Sequence, residues 1–417
     1  MVAGGTIDLS WPVVSPTFAE LGVPTSIVTS LDERGLTAPF AIQAATISDA
    51  LAGRDVCGKA PTGSGKTIAF GIPMVMRSPR SEPKRPTGLV LVPTRELAGQ
   101  VEAELKLLGE PVRCRVMAIY GGVSIGNQVK RLSRGVDVIV ATPGRLLDLV
   151  DQRAVRLRDV KMITIDEADR MADMGFMPDV KKILDLTADD RQVLLFSATL
   201  DGDVDTLVSR YLDDPVQHVV EEIPDDSDDS RVDHLFWEAQ HGDRIRLTAL
   251  VADRMGPTIV FSRTRHGADR ITRQLGDWRV KATALHGDKT QAARSRALAE
   301  FHQGKVDVLV ATDVAARGIH VDDVAAVVHF DPPADHKDYR HRSGRTGRAG
   351  SAGLVITLVT SQTAAHVRNL RRDLDLSGDL TEAGTFPAHT PMRGATAKVS
   401  PRLPGDLGSV RYRVTAS

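Results

Sequence analysis

Ala60-Pro-Thr-Gly-Ser-Gly-Lys-Thr67 packs small residues, two glycines, a lysine and a hydroxyl into eight positions. That set can cradle phosphate. Gly63 and Gly65 permit backbone angles that turn successive N–H groups toward one anion, and a following helix adds its positive N-terminal end. Lys66 supplies a point charge for the outer phosphates, and the Thr67 hydroxyl can join a Mg²⁺ shell. Thr62, Gly63, Ser64, Gly65, Lys66 and Thr67 are therefore the nucleotide-binding candidates. The general pattern GxxxxGK[ST] carries glycine where Ala60 stands, and an ordinary glycine-rich turn is the competing reading. A second constellation, Asp166-Glu-Ala-Asp169, follows the apolar run Lys161–Ile165. Carboxylates leaving the carboxyl end of such a strand lie in the crevice where α/β sheets bind ligands. Asp166 is expected to hold Mg²⁺ through water, and Glu167 to orient and deprotonate an attacking water. An acidic helix start would use the same residues; their pairing with Gly65-Lys66-Thr67 favours catalysis. The third, His341-Arg-Ser-Gly-Arg-Thr-Gly-Arg348, sets three arginines and a histidine among two glycines. Such density calls for an anionic partner. Arg345 and Arg348 are expected to reach a γ-phosphate as arginine fingers, an effect worth ~10³–10⁵ in rate. A solvated basic turn is the alternative.

Elements that position these groups are visible as short apolar strands alternating with helical patterns, the signature of parallel sheets covered by helices. Strands are expected at Val56–Lys59, Leu89–Val92, Arg115–Tyr120, Val136–Ala141, Lys161–Ile165 and Gln192–Phe196. Glu221 to Ser230 then holds six acidic residues in ten and no basic one, which predicts a linker or exposed loop. The alternation restarts with Thr258–Ser262, Ala282–Leu285, Val306–Ala311, Ala325–Phe330 and Gly353–Val359. An internal echo joins the halves. Val136-Asp-Val-Ile-Val-Ala-Thr142 returns as Val306-Asp-Val-Leu-Val-Ala-Thr312, preceded respectively by Ile119-Tyr-Gly-Gly122 and Leu285-His-Gly-Asp288. The kept order suggests a duplicated α/β unit of which only the first copy carries the phosphate loop; chance likeness of two buried strands is the alternative. Expected boundaries are a leader at 1–16, a first domain at 17–220, the acidic linker at 221–231, a second domain at 232–372 and a poorly ordered tail at 373–417.

The 417 residues exceed one compact core. A net charge of −1 leaves no global basic field, so any nucleic acid must meet a local patch. Cys57 and Cys114 lie in apolar runs and read as buried thiols in a reducing compartment rather than a disulfide. No long apolar span and no signal pattern stands in the chain, which predicts a cytoplasmic protein without membrane contact.

Taken together, and in this order, the motifs resemble those of the DEAD-box ATP-dependent RNA helicases of superfamily 2, in their bacterial type. The resemblance spans roughly residues 18 to 360. It implies two tandem RecA-like domains, each a mainly parallel sheet flanked by helices, with ATP and Mg²⁺ at the first. Ala60 is usual in this family's motif I, and Asp166–Asp169 matches the motif that names it. By the same resemblance Gln43 reads the adenine edge and Phe18 packs on the base; alone they would pass for surface and core residues. The first domain's RNA surface is implied at Pro93, Thr94, Arg95, Gly121, Gly122, Thr142, Gly144 and Arg145. In the second domain it is implied at Gln291, Arg294, Thr312 and Gly318. Aromatic content is 4%, so the backbone rather than the bases of RNA is the expected contact. Outside the family these residues would more often be caps or turns. Ser197-Ala-Thr199 resembles motif III, expected with Asp169 and His341 to couple ATP state to RNA. Ala311–Ile319 resembles motif V, which places Asp313 and the residue after Ile319 at the nucleotide. There the family usually has Asp, and this chain has His320, which loses a fixed charge but keeps a hydrogen-bonding ring.

The implied activity is RNA-stimulated ATP hydrolysis, coupled to closure of the two domains and local, non-processive unwinding of short RNA duplexes or remodelling of RNA–protein complexes. An ATP-dependent RNA clamp or scaffold with little unwinding is the alternative, and a DNA translocase a third. The protein is expected to be a monomer; ribosome-assembly or RNA-decay proteins are the implied partners.

Overall fold

The computed structural model describes residues 16–61, 63–222, 232–316, 321, 324–347, 352–376, 380–387 and 412–416. They fall into two compact units, the first centred on Met1–Pro224 and the second on Asp225–Pro401. The first unit's sheet runs Tyr412–Ala416, Val216–Glu222, Val56–Lys59, Gln192–Ser197, Met162–Asp166, Gly88–Leu91, Val138–Ala141, Val116–Ile119. Every pairing is parallel except the first, which is antiparallel. The second unit's sheet runs Ala282–Leu285, Val308–Ala311, Thr258–Phe261, Ala326–His329, Gly353–Val359, Val232–Glu238, Thr381–Glu382, all parallel.

Helices cover both faces of each sheet, which is why the strands read as continuous apolar runs. Val138 and Val140 face one core cluster and Ile139 and Ala141 the other, the two-residue period of a pleated strand buried on both sides. The second unit repeats this with Val308 and Val310 on one face and Leu309 and Ala311 on the other.

The echo in the sequence is a shared three-strand block. Ile119 stands opposite Ala141, which stands opposite Leu91; Leu285 stands opposite Ala311, which stands opposite Phe261. Backbone bonds past the strand ends repeat too, Thr142 N to Ile119 O at 3.0 Å and Thr312 N to Leu285 O at 3.2 Å. Even the caps match: Thr94 accepts from Leu97 N at 3.3 Å and Thr264 from Gly267 N at 3.0 Å, each starting the helix after its strand.

Composition misled in two places. Glu221 and Glu222, assigned to the linker by charge, end the strand Val216–Glu222, which pairs along Val56–Lys59; the rest of the linker, residues 223–231, lies outside the described residues, as does the leader through residue 15. Within the stretch expected to be poorly ordered, Thr381–Glu382 and Tyr412–Ala416 form strands. Aromatic packing anchors the first of these: Trp237 Nε1 donates to Thr385 O at 3.2 Å, and Phe386 meets the Trp237 ring edge-on at 5.2 Å. Among the described residues no helix is long and apolar enough to cross a membrane. Both cysteines are free; burial pushes the Cys57 thiol up to about 11 and the Cys114 thiol up to about 12.

Candidate functional site

Three adjacent strands of the first unit end together. Gly58 pairs with Phe196, and Phe196 with Asp166. Neighbouring strands lie ~4.8 Å apart, so this register brings the phosphate loop after Lys59, Ser197 and Asp166-Glu167 to one edge of the sheet. In parallel sheets the crossover connections are as a rule right-handed, and ligands bind in the crevice outside the carboxyl ends of the strands.

Gly63 and Gly65 hold φ of 87° and 84°, and Gly65 is the left-handed residue from which the helix Lys66–Arg77 starts. A side chain at Gly65 would also collide with the Gln43 amide and the Phe40 ring. Ala60, in the place of the pattern's first glycine, is buried, and its N–H bonds Ser197 O at 3.1 Å. Its carbonyl accepts from Lys66 Nζ at 2.7 Å, with Pro61 O at 3.0 Å. Burial lowers the Lys66 pKa, opposed by the carboxylates of Asp166, Glu167 and Asp169. Ser64 donates to Pro61 O at 2.8 Å, and Thr67 is half-buried in the first helical turn. The loop therefore fits a polyphosphate: small residues, glycine angles, a helix start and one buried ammonium with carboxylates near it. Thr62 lies outside the described residues.

Gln43 is 1% exposed and tied to the loop. Its amide nitrogen donates to Gly65 O at 3.0 Å, and its oxygen accepts from Phe40 N at 2.9 Å. One N–H and one lone pair remain for a ligand. Phe18 is a core residue at 2% exposure. Asp166 and Glu167 are 3% and 6% exposed, and Glu167 occupies the left-handed region at φ 55°. Asp169 N donates to Ser197 Oγ at 3.2 Å, joining Asp166–Asp169 to Ser197–Thr199; Thr199 is exposed.

Beyond these strand ends, four residues of the expected RNA surface come together. The guanidinium of Arg95 covers Gly122, whose φ of 83° and lack of side chain the contact requires. Arg145 Nη2 lies 3.8 Å from where a Cβ on Gly121 would sit, and Arg145 donates to Val123 O and Gln128 Oε1, both at 3.3 Å. Pro93 is buried and Thr94 serves as a cap. Thr142 precedes its helix without a side-chain cap bond, and Gly144 is exposed beside open space.

In the second unit Gln291 begins the helix Gln291–His302, Arg294 is buried one turn on, and Thr312 is buried after the strand Val308–Ala311. Asp313, expected at the nucleotide, is held by Arg342 in a two-pronged pair at 2.6 and 2.7 Å. Arg342 also donates to Asp331 O at 2.8 Å and lies 5.0 Å from the Phe261 ring centroid. Sequence reading gave Arg342 no role, because arginines at 342, 345 and 348 look alike; only the carboxylate neighbour distinguishes it. Arg345 is 3% exposed, and His341 is half-buried at the end of the helix His336–Ser343. Gly318, His320 and Arg348 lie outside the described residues.

Comparison with known proteins gives the same picture. The DEAD/DEAH box helicase family model matches residues 40–207, and the helicase conserved C-terminal domain model matches 243–350. The chain is 39% identical, over 95% of its length and 69% of the relative's, to an ATP-dependent RNA helicase DBP2 of Meyerozyma guilliermondii. It is 38% identical to the DEAD-box ATP-dependent RNA helicase CshA of Bacillus cereus, covering 89% of this chain and 70% of that one. A maize chloroplastic DEAD-box helicase 3A is 42% identical over 85% of this chain, which spans only 49% of that relative. Among solved structures, S. cerevisiae Dbp5 bound to RNA and ADP BeF3 aligns with a TM-score of 0.74 at 26% identity, covering 88% and 95% of the two chains.

Proposed function

Because the chain belongs to the DEAD-box ATP-dependent RNA helicases, we propose that single-stranded RNA gates its ATP hydrolysis through closure of the two units. The register that aligns Gly58, Phe196 and Asp166 carries this reading, since it gathers phosphate loop and carboxylates at one edge. Gly63, Gly65 and Lys66 bind the phosphates, with the remaining hydrogen-bonding capacity of Gln43 selecting adenine. Thr67 and Asp166 would hold Mg²⁺, which supplies charge neutralisation at the phosphates when bound. Glu167 takes a proton from the attacking water. Arg345 and Arg348 stabilise the charge that develops in the transition state, while Asp313 and His320 belong to the second unit's share of the nucleotide site.

RNA is bound along its backbone. Arg95, Gly121, Gly122 and Arg145, with Pro93, Thr94, Thr142 and Gly144, form the surface on the first unit; Gln291, Arg294, Thr312 and Gly318 form that on the second. Asp169, Ser197, Thr199 and His341 link the two ligands. ATP and RNA each favour the closed arrangement, so each raises the affinity for the other. Closure on a short duplex bends one strand away from its partner, and hydrolysis releases it.

ATP turnover measured without nucleic acid, with single-stranded RNA and with matched DNA, all at one salt concentration, tests this. Stimulation by RNA alone is expected. Equal stimulation by DNA overturns the RNA reading, and undiminished turnover without nucleic acid overturns the gating.

A further inference from the structure

The proposed base has a partner that its motif does not name. Arg170 Nη1 lies 3.1 Å from Glu167 Oε2, and the two side chains are 6% and 8% exposed. Glu167 leaves the strand Met162–Asp166 with φ 55° and ψ 50°, a conformation that non-glycine residues seldom keep. Strand end, left-handed residue and a buried ion pair one helical turn on together fix where the carboxylate points. Arg170 is also close enough to Lys66 to disfavour the lysine's charge, so two cations share this set of carboxylates. Their direct bonds differ: Lys66 Nζ donates to the carbonyls of Ala60 and Pro61, whereas Arg170 donates to the Glu167 carboxylate.

We propose that Arg170 is the positioning residue of the hydrolytic step, holding Glu167 on the water side of the site and leaving Lys66 to the phosphates. This rests on Glu167 being the base. A misaimed base costs turnover while leaving ground-state binding of ATP intact. Arg170 itself touches neither substrate nor water in this account.

Steady-state ATP hydrolysis under saturating single-stranded RNA, in the full chain, separates the roles. Arg170→Gln is expected to lower kcat by ~10- to 100-fold with KM for ATP changed less than ~3-fold. Arg170→Lys, which restores the cation, is expected to recover most of that loss and keeps the test available if the glutamine variant does not fold. In a Glu167→Gln background, Arg170→Gln is expected to add less than ~2-fold, because a residue acting through the base has nothing left to position. Full kcat in Arg170→Gln overturns the proposal, as does an undiminished further loss in the Glu167→Gln background. Normal turnover in Glu167→Gln alone would instead remove the base assignment and this proposal together, whereas loss in Glu167→Gln with none in Arg170→Gln removes only the proposal.

Discussion

Glu167 and Asp331 occupy the same place in two copies of one frame. Counting from the edge strands Val116–Ile119 and Ala282–Leu285, each follows the fourth strand of its sheet. Leu91 pairs with Ile165 and Phe261 with His329, so Glu167 and Asp331 both lie two residues past the last matched pair. A cation starts a helix beside each, Lys66 after a six-residue loop and Arg244 after a five-residue one. In the second unit that cation is committed. Arg244 pairs with Asp331 at 3.1 Å and bonds Phe330 O at 3.0 Å, while the other Asp331 oxygen accepts Arg263 N at 2.9 Å. In the first unit Lys66 donates to the loop carbonyls of Ala60 and Pro61, and Glu167 is bonded to Arg170. One frame thus carries a closed ion pair in one half and, in the other, the residues proposed to do chemistry. The difference lies in the segment before the cation: in one unit glycines and loop carbonyls surround a lysine, and in the other an arginine reaches across to the carboxylate.

The largest effect that sharpens this contrast is on turnover. Glu167→Gln is expected to lower kcat by ~10²–10⁴ without weakening ATP binding, whereas Asp331→Asn is expected to leave kcat within ~10-fold and lower the melting temperature instead. Steady-state kinetics beside thermal melts reads both, and a kcat loss of equal size in the two variants would erase the distinction.

Next in size is a second ion pair of the same unit, Arg342 with Asp313. Arg342 is 3% exposed and satisfies Asp313 and Asp331 O together. Arg342→Gln is expected to cost the second unit ~3 kcal/mol in denaturant unfolding, since it leaves a carboxylate half-buried without its partner. A loss below ~1 kcal/mol would mean that the pair is dispensable to the fold.

Asp137 and Asp307 mark where the echo diverges. Both immediately precede the repeated strand, and Asp137 is 2% exposed and accepts from Ser81 N at 2.7 Å and Arg115 N at 2.9 Å, with Arg115 paired at 2.6 Å. Burial pushes its carboxyl up, but the hydrogen bonds from Arg115 and the Ser81 and Arg115 backbone outweigh it and hold the group at about 2, against 3.8 ordinarily. A lowered folded value stabilises above the unfolded one, so the contribution is complete above pH ~4 and lost as pH falls toward 2. Asp137→Asn is expected to cost ~2 kcal/mol at neutral pH, with the gap to the parent closing across that window. Asp307→Asn, at a half-buried position, is expected to cost less.

The smallest effects are expected to be equal. Thr94→Ala and Thr264→Ala remove the same cap from equivalent helices, and each is expected to cost ~1 kcal/mol in unfolding. Unequal losses would show that the shared block is shared only in outline.

Much of this was legible in the residues. The strands Val56–Lys59, Ala282–Leu285 and Gly353–Val359 match the sequence expectation to the residue; Gly353–Val359, buried along its whole length, does so because such a strand leaves an apolar run between polar turns. The strands Val216–Glu222 and Val232–Glu238 were not, since they flank a charge-rich segment and their polar residues hide the pattern. At the site, the phosphate loop and Asp166-Glu167 announced themselves through spacing. The Gln43 amide reaching Gly65 O and the Arg342 clasp on Asp313 did not, because each depends on residues brought together from 22 and 29 positions away.

Titration of the full chain with a non-hydrolysable ATP analogue and Mg²⁺, by calorimetry, goes most directly to the claim that one frame holds one chemical site. A single site per chain, lost in Lys66→Ala and kept in Arg244→Lys, is the predicted result. Two sites per chain, or one that survives Lys66→Ala, would contradict it.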